Sequence, residues 1–277
     1  MSLEALGVNN AELRPLATTA REDLFRGLLK WHIYGRLGYL EVKRRYRRTV
    51  LGPFWGTASL ALTIAAMGSI GVGLWQQNPA TYFPFLAAGL IVWVFMQSIL
   101  TDSCSLFTSN SNLFRQTRLD YSILAYALVW RNVIAFLHNV GAYLVVITLF
   151  TGNIGWPVLL LIPGLALVMI NAVWIALLFG IASLRYRDLQ PLVANIVQIA
   201  IFVTPIFWPP EVLQTSSRVV FVTFNPLYHL IEVIRLPLMN GVPTAFTYKA
   251  VGAIATVGWI IAYTVFGRYR RRIAYWS

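Results

Sequence analysis

Long apolar stretches separated by short polar ones dominate the chain. Those long enough to cross lipid are 54–75, 82–106, 129–150, 157–183, 192–208 and 248–267. Bilayer hydrocarbon about 30 Å thick needs about 20 apolar residues of helix. Of the set, 192–208 is short and 82–106 runs into the polar sequence TDSCS. The pattern predicts an all-α polytopic membrane protein with about six transmembrane helices.

A different periodicity precedes the first span. Thr19-x-x-Glu22 has the spacing of a capping box, and beyond it Phe25, Leu29, Ile33 and Leu37 recur every four residues, with Leu28 and Leu40 beside them. Arg26, Lys30 and Arg36 fill polar positions of the same stretch. This predicts an amphipathic helix over 20–43, too polar to span, that lies in the membrane interface or packs on a soluble partner. The expected division is an N-terminal cytoplasmic segment, 1–52, and a transmembrane domain of six spans, 53–277. Within the first span, Thr57, Ala61, Ala65, Ser69 and Gly73 recur every four residues, a small-residue face suited to close packing inside a bundle. In the segment 209–247, NPLYHLIEVIRLPL (225–238) is interrupted by Pro226, His229, Glu232, Arg235 and Pro237. It predicts short re-entrant helices on the outer side before the last span.

Composition agrees: 58% of the residues are hydrophobic and 12% charged, against roughly 45–50% and about 25% in soluble chains. The net charge of +12 raises the question of nucleic acid, but the charges sit in loops beside spans and form no face of a soluble domain, so no nucleic-acid partner is expected. They orient the spans instead. Before residue 53 stand Arg14, Arg21, Arg26, Lys30, Arg36, Lys43, Arg44, Arg45, Arg47 and Arg48; the second loop has Arg115 and Arg118, the fourth Arg185 and Arg187, and the tail Arg268, Arg270, Arg271 and Arg272. The opposite side has Arg218, Arg235 and Lys249. The positive-inside rule puts both termini in the cytoplasm. Trp75, Tyr82, Trp156 and Trp208 fall at the predicted outer ends of spans and Trp55, Trp130 and Tyr269 at the inner ones. The opening MSLEALGVNNAELRPLATTAREDL has no apolar core and no small-residue cleavage site, so no signal peptide is expected there.

Candidate chemistry is sparse. RRYRR puts Arg44, Arg45, Arg47 and Arg48 directly before the first span, where they anchor topology and meet anionic lipid headgroups, worth about 1 kcal/mol per basic residue. Near the inner boundary Asp102 and Arg131 are placed to pair across neighbouring helices, and His138 beside Asn139 reads as a hydrogen-bonding group. No carboxylate stands at mid-membrane, where ion-driven transporters place theirs. His32, His138 and His229 fall in separate regions; His229 and Glu232 share a helix face but lack a third ligand, so no metal site is expected. Cys104 is the lone cysteine, which excludes an intrachain disulfide. No Gly-Lys pair occurs, so the chain has no Walker A loop, and any ATP that drives it is bound by another polypeptide. The loop SNSNLFRQTRLD (109–120) predicts a short cytoplasmic helix exposing Leu113 and Phe114, as for docking into a protein groove.

Four segments together carry a resemblance: RYRRTVLGPFW (45–55), NLFRQTRLD (112–120), RDLQPLVANIVQIAIFVTPIFWP (187–209) and NPLYHLIEVIR (225–235). In their order and spacing the chain resembles the permease subunits of type-2 ABC exporters that move lipid-linked polysaccharide in O-antigen, capsule and teichoic acid export. The resemblance covers nearly everything after residue 20; Asp120 departs from it, standing where related chains commonly have proline. It implies a homodimer in the bacterial inner membrane, joined to separate ATP-binding subunits that carry the ATP and Mg, with no cofactor in this chain. Asn112, Leu113, Phe114, Arg115 and Gln116 would form the ATPase-coupling loop. The cargo would be a glycan on a polyprenyl pyrophosphate. Arg44, Arg45, Arg47 and Arg48 then gain a second candidate role, holding that headgroup, and Trp93, Phe202, Phe207 and Trp208 become candidates to stack on sugars along the pathway, beside their alternative role in packing. Two other classes stay open: an ion-coupled flippase of lipid-linked glycans, and a membrane glycosyltransferase using Asp102, Asp120 or Asp188.

Overall fold

The computed structural model describes residues 19–47, 50, 52, 54–111, 113, 119–150, 155–213 and 219–276. The main helices are α1 (Ala20–Leu29), α2 (Trp31–Tyr46), α3 (Phe54–Trp75), α4 (Pro79–Cys104), α5 (Ser122–Phe150), α6 (Leu161–Arg185), α7 (Leu189–Val203), α8 (Pro226–Leu238) and α9 (Ala245–Tyr269). No strand occurs among the described residues. Among the described residues, five helical segments are long and apolar enough to cross a membrane: α3, α4, α5, α6 with the 3-10 turn before it, and α9 with the turn after it. The protein is therefore an all-α polytopic membrane protein. α4 is its central post, with Leu86, Ala87, Ala88, Ile91 and Val92 all fully buried and α3, α5, α6, α7 and α8 packed around it.

The predicted span 192–208 takes a different form. α7 has 15 residues, a length of about 22 Å at 1.5 Å per residue, short of the hydrocarbon thickness. It stops at Val203 because Thr204 turns extended ahead of Pro205. The chain nevertheless reaches the far end of the bundle, since Tyr82, in the first turns of α4, donates its hydroxyl to the carbonyl of Phe207. Non-helical backbone at this depth needs protein partners. Arg235 of α8 supplies another: its Nη1 donates to the carbonyl of Pro205 at 2.7 Å. Asn225 Nδ2 reaches Thr204 Oγ1 at 3.1 Å. Arg235 itself is buried, paired through Nε with Glu232 at 2.8 Å and lying 4.3 Å from the Phe85 ring centre.

Both described ends of the chain meet at the opposite, arginine-rich end. Asp23 of α1 is fully buried, accepts from the backbone N–H of Ser122 at 3.0 Å and of Tyr121 at 3.3 Å, and pairs with Arg270 Nε at 2.9 Å. It thus caps the start of α5 from another helix. Burial pushes the Asp23 carboxyl above its ordinary value, while its Ser122 and Arg270 partners pull it back. Asp120, also buried, pairs with Lys30 at 2.9 Å.

The N-terminal helix differs from expectation. Thr19 accepts from the N–H of Glu22 at 3.2 Å, as half of a capping box, but the helix breaks at Lys30, where ψ is 45°. The apolar set divides there: Ile33 and Leu37 are buried and Leu40 half-buried, whereas Phe25, Leu28 and Leu29 stay exposed. α2 packs on α5 so closely that a Cβ on Gly38 would lie 2.9 Å from the carbonyl oxygen of Ala127. On α3 the small-residue expectation is overturned within this chain. Leu60, Ile64, Gly68 and Gly71 are buried, while Ala61, Ala65, Ser69 and Gly73 point outward and Thr57 of the same set is half-buried against α5. Gly68 and Gly71 give way to the rings of Phe83 and Tyr82, and that close approach sets which face turns inward.

Arg235→Ala strips Glu232 of its partner and leaves the Pro205 carbonyl without its donor. Removing one member of a buried pair costs about 3–5 kcal/mol, so the detergent-solubilised variant should unfold well below wild type in a fluorescence-detected thermal scan.

Candidate functional site: a cleft among the helices α3, α4, α5 and α7

Glu41, on α2, projects toward α5 and meets Arg131, whose Nη1 lies 2.6 Å from Glu41 Oε2. The other end of the same guanidinium lies 2.7 Å from Asp102 Oδ2, in the last turn of α4. Asp102 Oδ1 is in turn 3.9 Å from Arg45 Nη2, one helical turn beyond Glu41. The expected Asp102–Arg131 pair is therefore present, as the middle of a longer chain of charges. Glu41 and Arg45 complete it; their i, i+4 spacing on a helix running into the basic cluster was the sequence signal for them. Arg131 Nε is buried and has no hydrogen-bond partner among the described residues.

This network is the wall between two hollows. Toward the arginine-rich end lies a polar one of ≈ 340 Å³, lined by Glu41, Arg44, Arg45, Asp102, Ser109 and Asn110 among others. Into the bundle runs a cleft of ≈ 390 Å³ bounded by Arg45, Arg131, Ser59, Gln97, Trp93 and Phe207, with the adjoining faces of α3 and α5. Its polar groups are side-chain amides and hydroxyls, and its aromatic wall comes from α4 and the turn after α7. His138 borders it, with Nδ1 2.8 Å from the carbonyl of Ile134 in its own helix, while Thr57 donates to the His138 carbonyl at 3.2 Å.

The structure brings together Arg45, Trp93 and Phe207. Arg44 lines only the polar hollow, and Arg47 is exposed at the end of α2. Phe202 is 66% exposed on the outside of α7, with its ring 6.0 Å from that of Phe207, and Trp208 Nε1 donates to the Phe202 carbonyl at 2.9 Å; neither lines the cleft. Leu113 corrects the picture of an exposed apolar pair, because it is half-buried against the core, with its N–H 3.0 Å from the carbonyl of Asn110. Arg48, Asn112, Phe114, Arg115 and Gln116 lie outside the described residues. At the far end, His229 Nε2 lies 2.9 Å from the Thr223 carbonyl and Glu232 is held by Arg235. Among the described residues no three His, Cys, Asp or Glu side chains converge as a metal site.

An all-helical membrane body with its charges at the two ends and a polar, aromatic cleft inside is the membrane domain of a transporter. The chain belongs to the ABC-2 type transporter family, whose sequence pattern matches residues 36–239. The matched region runs from α2 to just past α8, so it contains the whole charge network and both partners of the Arg235–Glu232 pair. A relative in Myxococcus xanthus, the O-antigen export system permease protein RfbA, is 24% identical over 238 residues, covering 84% of this chain and 91% of that protein.

Glu41→Gln and Asp102→Asn each remove one partner of the same guanidinium. Their effects should not add, with a coupling of about 0.5–3 kcal/mol in a double-mutant cycle, read from reversible unfolding in mixed micelles.

Proposed function

We propose that this permease moves O-antigen-like polysaccharide, carried on a polyprenyl pyrophosphate, out across a bacterial inner membrane. The observation that carries the reading is the cleft that joins Arg45 and Arg131 at one end to Trp93 and Phe207 further in. A pyrophosphate headgroup has the charge and paired oxygens that guanidinium groups engage, and sugars offer faces for aromatic rings. The export role stated in the name of the Myxococcus xanthus relative supports the same reading. The arginine-rich end faces the cytoplasm by the positive-inside rule, and both termini with it, since Asp23 and Arg270 touch there. Two copies of the chain form the pathway. The outward small-residue face of α3 (Ala61, Ala65, Ser69) is one surface that permits close approach of a second copy. ATP is bound and hydrolysed by a separate subunit docked on the loop 109–120.

Replacing Arg44, Arg45, Arg47 and Arg48 together by lysine keeps every charge and removes the planar fork. Cysteine accessibility at both termini should show correct insertion, while export of the lipid-linked polymer falls at least tenfold. Wild-type export from this variant would leave topology and lipid anchoring as the cluster's only roles.

Because Leu113 packs on the core, Phe114→Asp is the cleaner probe of coupling. Export should be lost, and co-purification with the ATP-binding subunit weakened, while the permease still reaches the membrane. Normal export together with full-strength association would remove this loop as the transmission element.

A further inference from the structure

Between α2, α5, α6 and α9 lies a second groove, of ≈ 760 Å³, on the face of α5 opposite the transport cleft. Tyr126, Val129 and Trp130 face the groove, whereas Arg131, Ala135 and His138 face the cleft. Its wall is almost wholly apolar, built from Trp31, Trp130, Met169, Ile170 and Trp259, with charge and polarity only at the rim formed by α1 and α2, where His32 and Arg36 stand. Arg36 is exposed and makes no ion pair among the described residues. Along α6 the lining runs from Val173 to Ala166, about 18–28 Å from the helix end at Arg185 by helical rise. The groove thus runs from the interface helices into the membrane-spanning length of α6.

We propose that this groove holds one resident anionic glycerophospholipid of the leaflet at the arginine-rich end, with an acyl chain along Met169, Ile170 and Trp259 and its phosphate on Arg36. Charge complementarity selects the occupant, because a single guanidinium at interface level heads a long dry slot, and tryptophans flank it as they do at lipid headgroups. A resident lipid fits better than a transported one because the cover does not swing free. α2 is fastened by buried Ile33 and Leu37 and by the Glu41–Arg131 ion pair. Trp259 Nε1 donates to the Ile170 carbonyl at 3.1 Å, tying α9 to α6 across the floor.

The test uses the full-length protein, in the assembly in which it purifies, placed in nanodiscs of equal phosphatidylglycerol and phosphatidylcholine, then released and weighed by native mass spectrometry. Wild type should keep phosphatidylglycerol at least fivefold over phosphatidylcholine, about one per chain. Arg36→Ala should abolish that preference, Arg36→Lys should preserve most of it, and Ala166→Phe, which fills the slot, should lower retention of both lipids. An unchanged thermal midpoint in Arg36→Ala separates lost binding from misfolding, as the side chain is exposed. Equal retention of the two lipids by wild type, or full retention by Arg36→Ala, would mean ordinary surrounding lipid and overturn the proposal. So would displacement of phosphatidylglycerol by added polyprenyl phosphate, which would assign the groove to the cargo, or a lipid-free groove cross-linked to a second copy.

Discussion

A guanidinium held between two carboxylates fixes the arrangement of the arginine-rich end. Arg131 joins α5 to Glu41 of α2 and to Asp102 of α4. Near lipid, none of these groups is tolerated without a partner. Because Arg131 is gripped from both sides, α2 is clamped along α5, and Arg45, one turn beyond Glu41, is delivered to Asp102 at the mouth of the cleft. The same clamp positions Arg36 over the groove on the other face of α5. Two hollows of opposite character, one polar and aromatic and one apolar, thus share a single structural support.

At the far end the governing constraint is backbone hydrogen bonding. α7 is too short to finish its crossing, and the stretch from Thr204 to Trp208 has carbonyls that no helix satisfies. Tyr82 and Arg235 take those of Phe207 and Pro205. A charge buried this deeply is tolerated because Glu232 neutralises it and Phe85 covers it. Phe207 projects into the cleft as a result of that satisfaction. The short helix α8, remote from the basic cluster, therefore decides where an aromatic wall of the cleft stands.

Local and periodic features were legible in the sequence. The apolar runs gave α3, α4, α5, α6 and α9 with only shifted ends, Thr19 and Glu22 announced the start of α1, and Asp102 and Arg131 announced their pair. What was hidden depends on partners distant along the chain. The break at Lys30 has no proline or glycine to signal it; it lets α1 engage Asp120 through Lys30 while α2 turns Ile33 and Leu37 onto α5. Asp23 capping a helix that begins about a hundred residues later is invisible to any local motif. The inward face of α3, Leu60, Ile64, Gly68 and Gly71, is chosen by the rings of Tyr82 and Phe83 on α4, which α3 alone does not reveal. Asp120 likewise has its partner far back in the chain, in Lys30.

The carboxylates bear on what drives the protein. Asp23 is held by Arg270, Asp120 by Lys30, Glu41 and Asp102 by Arg131, and Glu232 by Arg235, while Asp188 and Glu211 are exposed. Each interior acid among the described residues thus has a base within ion-pairing distance, at one end of the bundle or the other. Protonating any of them to carry a proton across would strand its partner base in a poorly solvated site, a strongly unfavourable step. The cleft between the two ends is lined by amides, hydroxyls and aromatic rings. The interior acids are thus committed to holding the bundle together. Where the basic charge of the arginine-rich end enters the bundle, it is met by Asp23, Asp120, Glu41 and Asp102.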